Sequence, residues 1–292
     1  LTGFPVRRQL VAVVLAAASL AEGGAVAQIS DLPDAVIEDC LREGKIGKKV
    51  DRIHGVTRPL HLSIECATGV DSAVFKSVDD HRRGLSAKVG GFSEMNFSDS
   101  YKYERAAYLL DRELGLDMVP VAVIREVRGT EGALVAWIPN TTHEFRMTRV
   151  PTGQQLAALA QRKAYMELFD ALILNVDRRP ENWLIDKETW RLYMIDHSRA
   201  FRIRERLPEA FMGKRARLTQ PLYAALETLD EARLHELLGA LIGDLQMRAL
   251  LIRRDLILEK IDADCEAWGR EAVFTDWQDS PQTDGEVEKG NP

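Results

Sequence analysis

The stretch from Phe169 to Phe201, FDALILNVDRRPENWLIDKETWRLYMIDHSRAF, constrains the chain more than any other. It reads as the end of an apolar helix, a polar loop, a short strand, a turn and a second strand. The loop carries Asp177 and Asn182, and the second strand ends on Asp196. These are the parts a phosphoryl-transfer site needs. One carboxylate orients the hydroxyl, while an amide oxygen and a second carboxylate hold a magnesium ion on a nucleotide. Oxygen donors suit that ion, and loop ends on a rigid scaffold are where such residues sit. An Asp and an Asn five residues apart also occur in plain turn-forming loops. The weight therefore comes from the apolar helix before the loop and the Ile-Asp strand end after it.

This stretch resembles the atypical kinases: phosphoinositide 3/4-kinases, HipA-type bacterial kinases, their actinobacterial relatives and secretory kinases. Their loop has the form N-x-D-R-H-x-x-N, followed by Ile-Asp, then Phe, His or Asn, then Gly or Ser. Here it stands as Asn175-Val176-Asp177-Arg178-Arg179-Pro180-Glu181-Asn182, then Ile195-Asp196-His197-Ser198. Arg179 replaces a common His, and Ser198 a common Gly. A second segment, YERAAYLLDRELGLDMVP from Tyr103 to Pro120, is similar to the same region of the actinobacterial relatives.

The resemblance implies a mixed α/β (α+β), two-lobed protein-kinase-like fold. Residues 29–139 would form a small sheet-plus-helix lobe and residues 140–275 a mostly helical one, with ATP and Mg2+ or Mn2+ in the cleft between. Lys76, at the end of a strand, would contact the α/β phosphates, and Glu104, in the first turn of a helix, would hold it there. Val135 to Ile138 would be the hinge that meets the adenine, with Trp137 or Ile138 lining that pocket. Asn182 and Asp196 would hold the metal, and Asp177 would be the catalytic carboxylate. Protein hydroxyls are the favoured acceptor. An inositol lipid or a small molecule also fits, as does AMP transfer. A catalytically silent pseudokinase is the alternative from another class, although Lys76, Asp177, Asn182 and Asp196 are all present.

The chain in order adds the following. Residues 1–28 read as an export signal: Arg7 and Arg8, an apolar run from Leu10 to Leu20, and Ala25-Val26-Ala27 before Gln28. Leu32 to Leu41 carries a helix signal, followed by a basic turn from Lys45 to Lys49. Ile53 to Phe75 reads as strands about a turn at Ala67-Thr68-Gly69, and residues 77–97, with Gly84, Gly90 and Gly91, as a loop. A helix is expected from Tyr101 to Leu114, and a strand pair from Val119 to Val127 and Ala133 to Ile138. Thr152 and Gln155 form a capping box before a helix from Gln154 to Leu174. Helices fill Pro221 to Trp268, with a second capping box at Thr228 and Glu231, and 276–292 reads as a disordered acidic tail.

The 292 residues suffice for a sizeable core, and a net charge of -6 argues against a nucleic-acid partner. No stretch reads as a transmembrane helix. Between residues 199 and 217 the balance reverses, with seven basic side chains against two acidic ones. That segment could receive an acidic peptide or an anionic lipid headgroup, or be a solvated loop. Cys40, Cys66 and Cys265 show no metal spacing; they read as isolated side chains, with one bridge, for example Cys40 to Cys265, open to an exported chain.

Overall fold

A computed structural model describes residues 32–52, 59–67, 70–89 and 92–275. The export signal, the tail and most of the Ala67-Thr68-Gly69 turn lie outside the described residues. The framework is a five-stranded antiparallel sheet in the order β1-β2-β3-β7-β6, from β1 (Lys45–Arg52), β2 (Leu60–Glu65), β3 (Ser72–Lys76), β6 (Ala122–Val127) and β7 (Thr130–Ala136). Between β3 and β6 the chain makes a separate hairpin, β4 (Asp79–Val89) with β5 (Phe92–Ser100), and then α2 (Lys102–Glu113). α1 (Asp34–Glu43) and α2 pack on β6 and β7.

Two expectations are corrected here. The basic run at Lys45 is a strand and not a turn: β1 is a sheet edge, and charge on an edge strand blocks further pairing. Residues 77–97 are mostly hairpin and not loop. The β4–β5 strands pair with each other and not with the five-stranded sheet, so a polar run meets no demand for apolar alternation.

Local chemistry explains the turn between β6 and β7. Arg128 and Gly129 both adopt positive φ, 55° and 80°, the twist a two-residue hairpin requires. Next to it, a Cβ on Gly132 would lie 2.3 Å from the Lys76 carbonyl oxygen, so only glycine lets β7 approach the end of β3.

The second half begins with β8 (Thr141–Thr142) and α3 (Gly153–Ile173), whose capping box is formed: Thr152 Oγ1 accepts from Gln155 N, and Gln155 accepts from Thr152 N. The last turn of α3, Leu168 to Ile173, is almost wholly buried. β9 (Trp183–Asp186) and β10 (Leu192–Met194) complete a three-stranded sheet with β8. β10 thus stops two residues short of Asp196, which takes a left-handed φ of 64°, a conformation Asp tolerates. A short α4 (Glu209–Met212) is followed by α5 (Gln220–Thr228), α6 (Glu231–Leu238), α7 (Asp244–Trp268) and a final turn, α8 (Arg270–Val273). The cap of α6 is Asp230, whose side chain accepts from Arg233 N, and not Thr228. Thr228 still belongs to α5 and donates back to the Ala224 carbonyl. Among the described residues no helix is long and apolar enough to cross a membrane.

Cys40 on α1 is joined to Cys66 after β2, with 5.7 Å between Cα atoms, and Cys265 is free. The bridge replaces the Cys40–Cys265 pairing considered from sequence. α1 is also tied to α2 by Glu38, which accepts from Arg105 (2.8 Å) and Tyr108 (2.9 Å). Burial alone would raise the Glu38 pKa, but Arg105, Arg42 and Tyr108 outweigh it and bring it to about 2. An acid lowered by folding adds stability that is complete above its unfolded pKa and lost as pH falls through the folded one. The wild-type chain is therefore expected to lose stability between about pH 4.5 and 2 through Glu38. Glu38→Gln should remove that component, about 1 kcal/mol after solvent screening, in urea melts followed across this range.

Candidate active site

Lys76 ends β3 and its side chain is largely enclosed. Its Nζ donates to Glu104 Oε1 at 2.6 Å and Asp196 Oδ1 at 3.0 Å. Three elements meet in these two bonds: β3, the first turn of α2, and the turn after β10. Burial alone would depress the Lys76 ammonium; Asp196 and Glu104 outweigh it and hold it above the ordinary lysine range. Lys76 in turn lowers Asp196 against burial. Burial would raise Glu104, but Lys76 first, and then the adjoining His197, hold it below the usual carboxylate range. The directions of all three shifts keep these groups charged together.

The loop bearing Asp177 and Asn182 is set by Arg178, a residue whose part sequence reasoning did not foresee. Its Nε and Nη2 form a fork on Asp170, both at 2.8 Å. Its Nη1 reaches the Asn182 and Ile195 carbonyls, and Nη2 also lies 3.1 Å from His197 Nε2. Asp170 sits on the last turn of α3, where it also accepts from Asn175 Nδ2. Its signal was present: a lone carboxylate within the apolar run before the loop.

Guanidinium nitrogens only donate, so His197 Nε2 accepts, and the ring is neutral with its proton on Nδ1. Full burial likewise lowers its pKa. Nδ1 faces Glu104 Oε2 at 3.5 Å without a formed hydrogen bond, while the His197 backbone N–H donates to Glu104 Oε1 at 3.0 Å. A single line of contacts therefore runs Asp170, Arg178, His197, Glu104, Lys76, Asp196. Arg253 on α7 supports it from behind. Fully buried, with its pKa pulled down to about 9, it donates to the carbonyls of Leu172 and Arg202.

Asn182 donates an amide N–H to the Asp177 carbonyl at 2.7 Å, which leaves Oδ1 as the atom that could meet a metal. Asp177 carries two guanidinium contacts, Arg199 at 3.2 Å and Arg179 at 3.4 Å. Among the described residues no three His, Cys, Asp or Glu side chains gather as a metal cage. An amide oxygen and one carboxylate, with phosphates completing the shell, is nevertheless the donor set that magnesium takes on a nucleotide.

Two residues along the same strands, Val135 pairs with Val74 across β3 and β7, which places it on the Lys76 face. Trp137 follows on that face, stacked on His61 at 4.0 Å. Ile138 alternates to the other side, where with Leu32, Ile37 and Tyr193 it lines a cavity of about 40 Å³. The structure thus groups Val135 and Trp137 with Lys76, and sets Ile138 apart.

No protein-family model matches the chain, and no curated protein matches it in sequence. Solved structures do match in fold. A hydra Fam20 protein solved with sugar superposes with a TM-score of 0.60 at 17% identity, over 81% of this chain and 90% of that one. The Golgi casein kinase gives 0.57 at 17% identity, over 83% and 77%. The same kinase with Mn and ADP bound gives 0.57 at 17% identity, over 83% and 78%. The chain has an atypical kinase-like fold of the mixed α/β class.

Arg178→Lys keeps the charge but cannot serve a carboxylate fork and two carbonyls at once. The substitution is expected to cost about 2–4 kcal/mol of unfolding free energy, read from the denaturant midpoint.

Proposed function

We propose that the chain is an ATP- and divalent-metal-dependent phosphotransferase that acts on alcohol groups, with protein hydroxyls as the favoured acceptor. The observation that carries this reading is Lys76 held between Glu104 and Asp196 by bonds of 2.6 and 3.0 Å. Nucleotide would lie between the sheet half, residues 29–139, and the helical half, 140–275. Lys76 would grip the α/β phosphates, and Val135 and Trp137 would border the adenine. Asn182 Oδ1 and Asp196 would hold the metal, which when bound would neutralise phosphate charge. Asp177 would orient the acceptor hydroxyl and take its proton late, as the acceptor oxygen bonds to phosphorus and the bond to the leaving oxygen breaks. Most of the rate would come from placement and charge.

Two further supports concern context. The Cys40–Cys66 bridge fits the export that residues 1–28 suggest, since disulfides persist in oxidising compartments. The exposed basic side chains of 199–217, Arg206, Lys214, Arg215 and Arg217, support an anionic acceptor, an acidic peptide before an inositol lipid.

The test is transfer of label from ATP carrying it on the γ or the α phosphate, with Mn2+, to serine and threonine peptides of acidic and basic character and to inositol-lipid vesicles. Label should pass from the γ position to acidic peptides, and Asp177→Ala should cut the rate by at least about 10³-fold. Transfer from the α position only would make the chain an AMP transferase. No transfer to any acceptor would favour the pseudokinase reading.

A further inference from the structure

Arg199 follows Asp196 by three residues and joins two carboxylates from distant parts of the chain. Its Nε donates to Asp99 Oδ2 at 3.0 Å and its Nη1 to Asp177 Oδ2 at 3.2 Å. Asp99 is 3% exposed, at the end of β5, and its other oxygen, Oδ1, is buried with no hydrogen-bond partner among the described residues. A buried carboxylate with one oxygen unpaired costs stability that an apolar side chain would not. Such a group in a folded protein asks for a reason beyond packing.

The surroundings supply one. The Arg199 guanidinium lies over the Phe97 ring at 5.6 Å, and its carbonyl accepts from Arg202 Nε at 2.7 Å. One residue earlier, Ser100 N donates to Ser198 O at 2.8 Å, so the base of the β4–β5 hairpin and the turn after Asp196 are bonded in backbone as well. Arg199 is thereby held at one end by the hairpin and at the other holds Asp177. Arg179, the other cation on Asp177, is mostly solvent-exposed and has no such support among the described residues.

We infer that Arg199 is the positioning residue for Asp177, and that buried Asp99 acts through Arg199 to set its direction. The inference rests on the phosphotransferase reading for its consequence, though not for its geometry. Asp99 and Arg199 touch neither nucleotide nor the transferred group on this account. They fix the carboxylate that meets the acceptor hydroxyl.

The test compares Arg199→Ala, Arg199→Lys, Asp99→Asn and the Asp99→Asn/Arg199→Ala double variant in the full chain. Two readouts are taken: amide hydrogen exchange over residues 175–182, and steady-state transfer. Exchange in that loop should rise at least about tenfold in Arg199→Ala and Asp99→Asn, with α3 unchanged. The kcat should fall about 10–100-fold while the acceptor KM stays within about threefold. Arg199→Lys, which can reach only one carboxylate at a time, should fall between. The double variant should be no slower than Arg199→Ala alone, because Asp99 has no other route to the site.

Unchanged loop exchange overturns the inference, as do losses that multiply in the double variant. A rise in kcat would also overturn it, since Arg199 would then be masking Asp177. Asp99→Asn keeps the side-chain shape and guards against a variant that merely misfolds. If the wild-type chain transfers no phosphate, the phosphotransferase reading falls, and loop exchange alone decides whether Arg199 holds Asp177.

Discussion

The enclosed ammonium of Lys76, shared between Glu104 and Asp196, is the interaction on which the rest of the structure depends. Removing one partner of a buried pair leaves an uncompensated charge, which costs several kcal/mol. The three residues come from a strand, a helix and a turn separated by 28 and 120 positions in sequence. The pair therefore acts as a fastening between the sheet and the segment after β10. It also places the Lys76 and Glu104 charges where solvent is mostly excluded and electrostatic effects are strong, with the Asp196 carboxylate on the solvent side of the pair.

That fastening extends through neutral His197 to Arg178 and Asp170. Each link is of a different kind: an ion pair, a backbone N–H on a carboxylate, an accepting imidazole nitrogen, and a guanidinium fork. Such lines are rigid because no member can turn without leaving a buried polar group unpaired. The apolar end of α3 and the buried Arg253 hold the far end in place. Preorganisation of this sort is what charge-placing catalysis uses, since groups already aimed need no reorganisation at the moment of reaction.

How much of this was legible in the sequence follows from how local each determinant is. The capping box at Thr152 and Gln155, the helix before the loop and the tight turn at Arg128-Gly129 depend on neighbours within a few residues. The β4–β5 hairpin was read as loop because its polar run carries no burial pattern, and β1 was read as a turn because a charged edge strand looks like one. Thr228 and Asp230 are both able to cap a helix at that point, and only the length of α5 decides between them. The partner of Cys40 is set by the packing of α1 near the end of β2. In the site, residue types and spacing marked Asp177, Asn182 and Asp196 as candidates, and the kinase resemblance added Lys76 and Glu104. Asp99, Asp170 and the bracing done by Arg178 and Arg199 depend on contacts between distant segments, which no spacing rule records.

The central claim is that the Lys76, Glu104 and Asp196 cluster is a metal–nucleotide site. Its most direct measurement is the thermal unfolding midpoint of the chain with ATP or ADP, with and without Mn2+ or Mg2+, beside Asp196→Ala. A ligand that binds the folded state alone raises the midpoint by mass action, by about 2.7 kcal/mol of stability at a hundred times its dissociation constant. The account predicts a rise that requires both nucleotide and metal and disappears in Asp196→Ala. No shift with any nucleotide, or an equal shift in the variant, would contradict it.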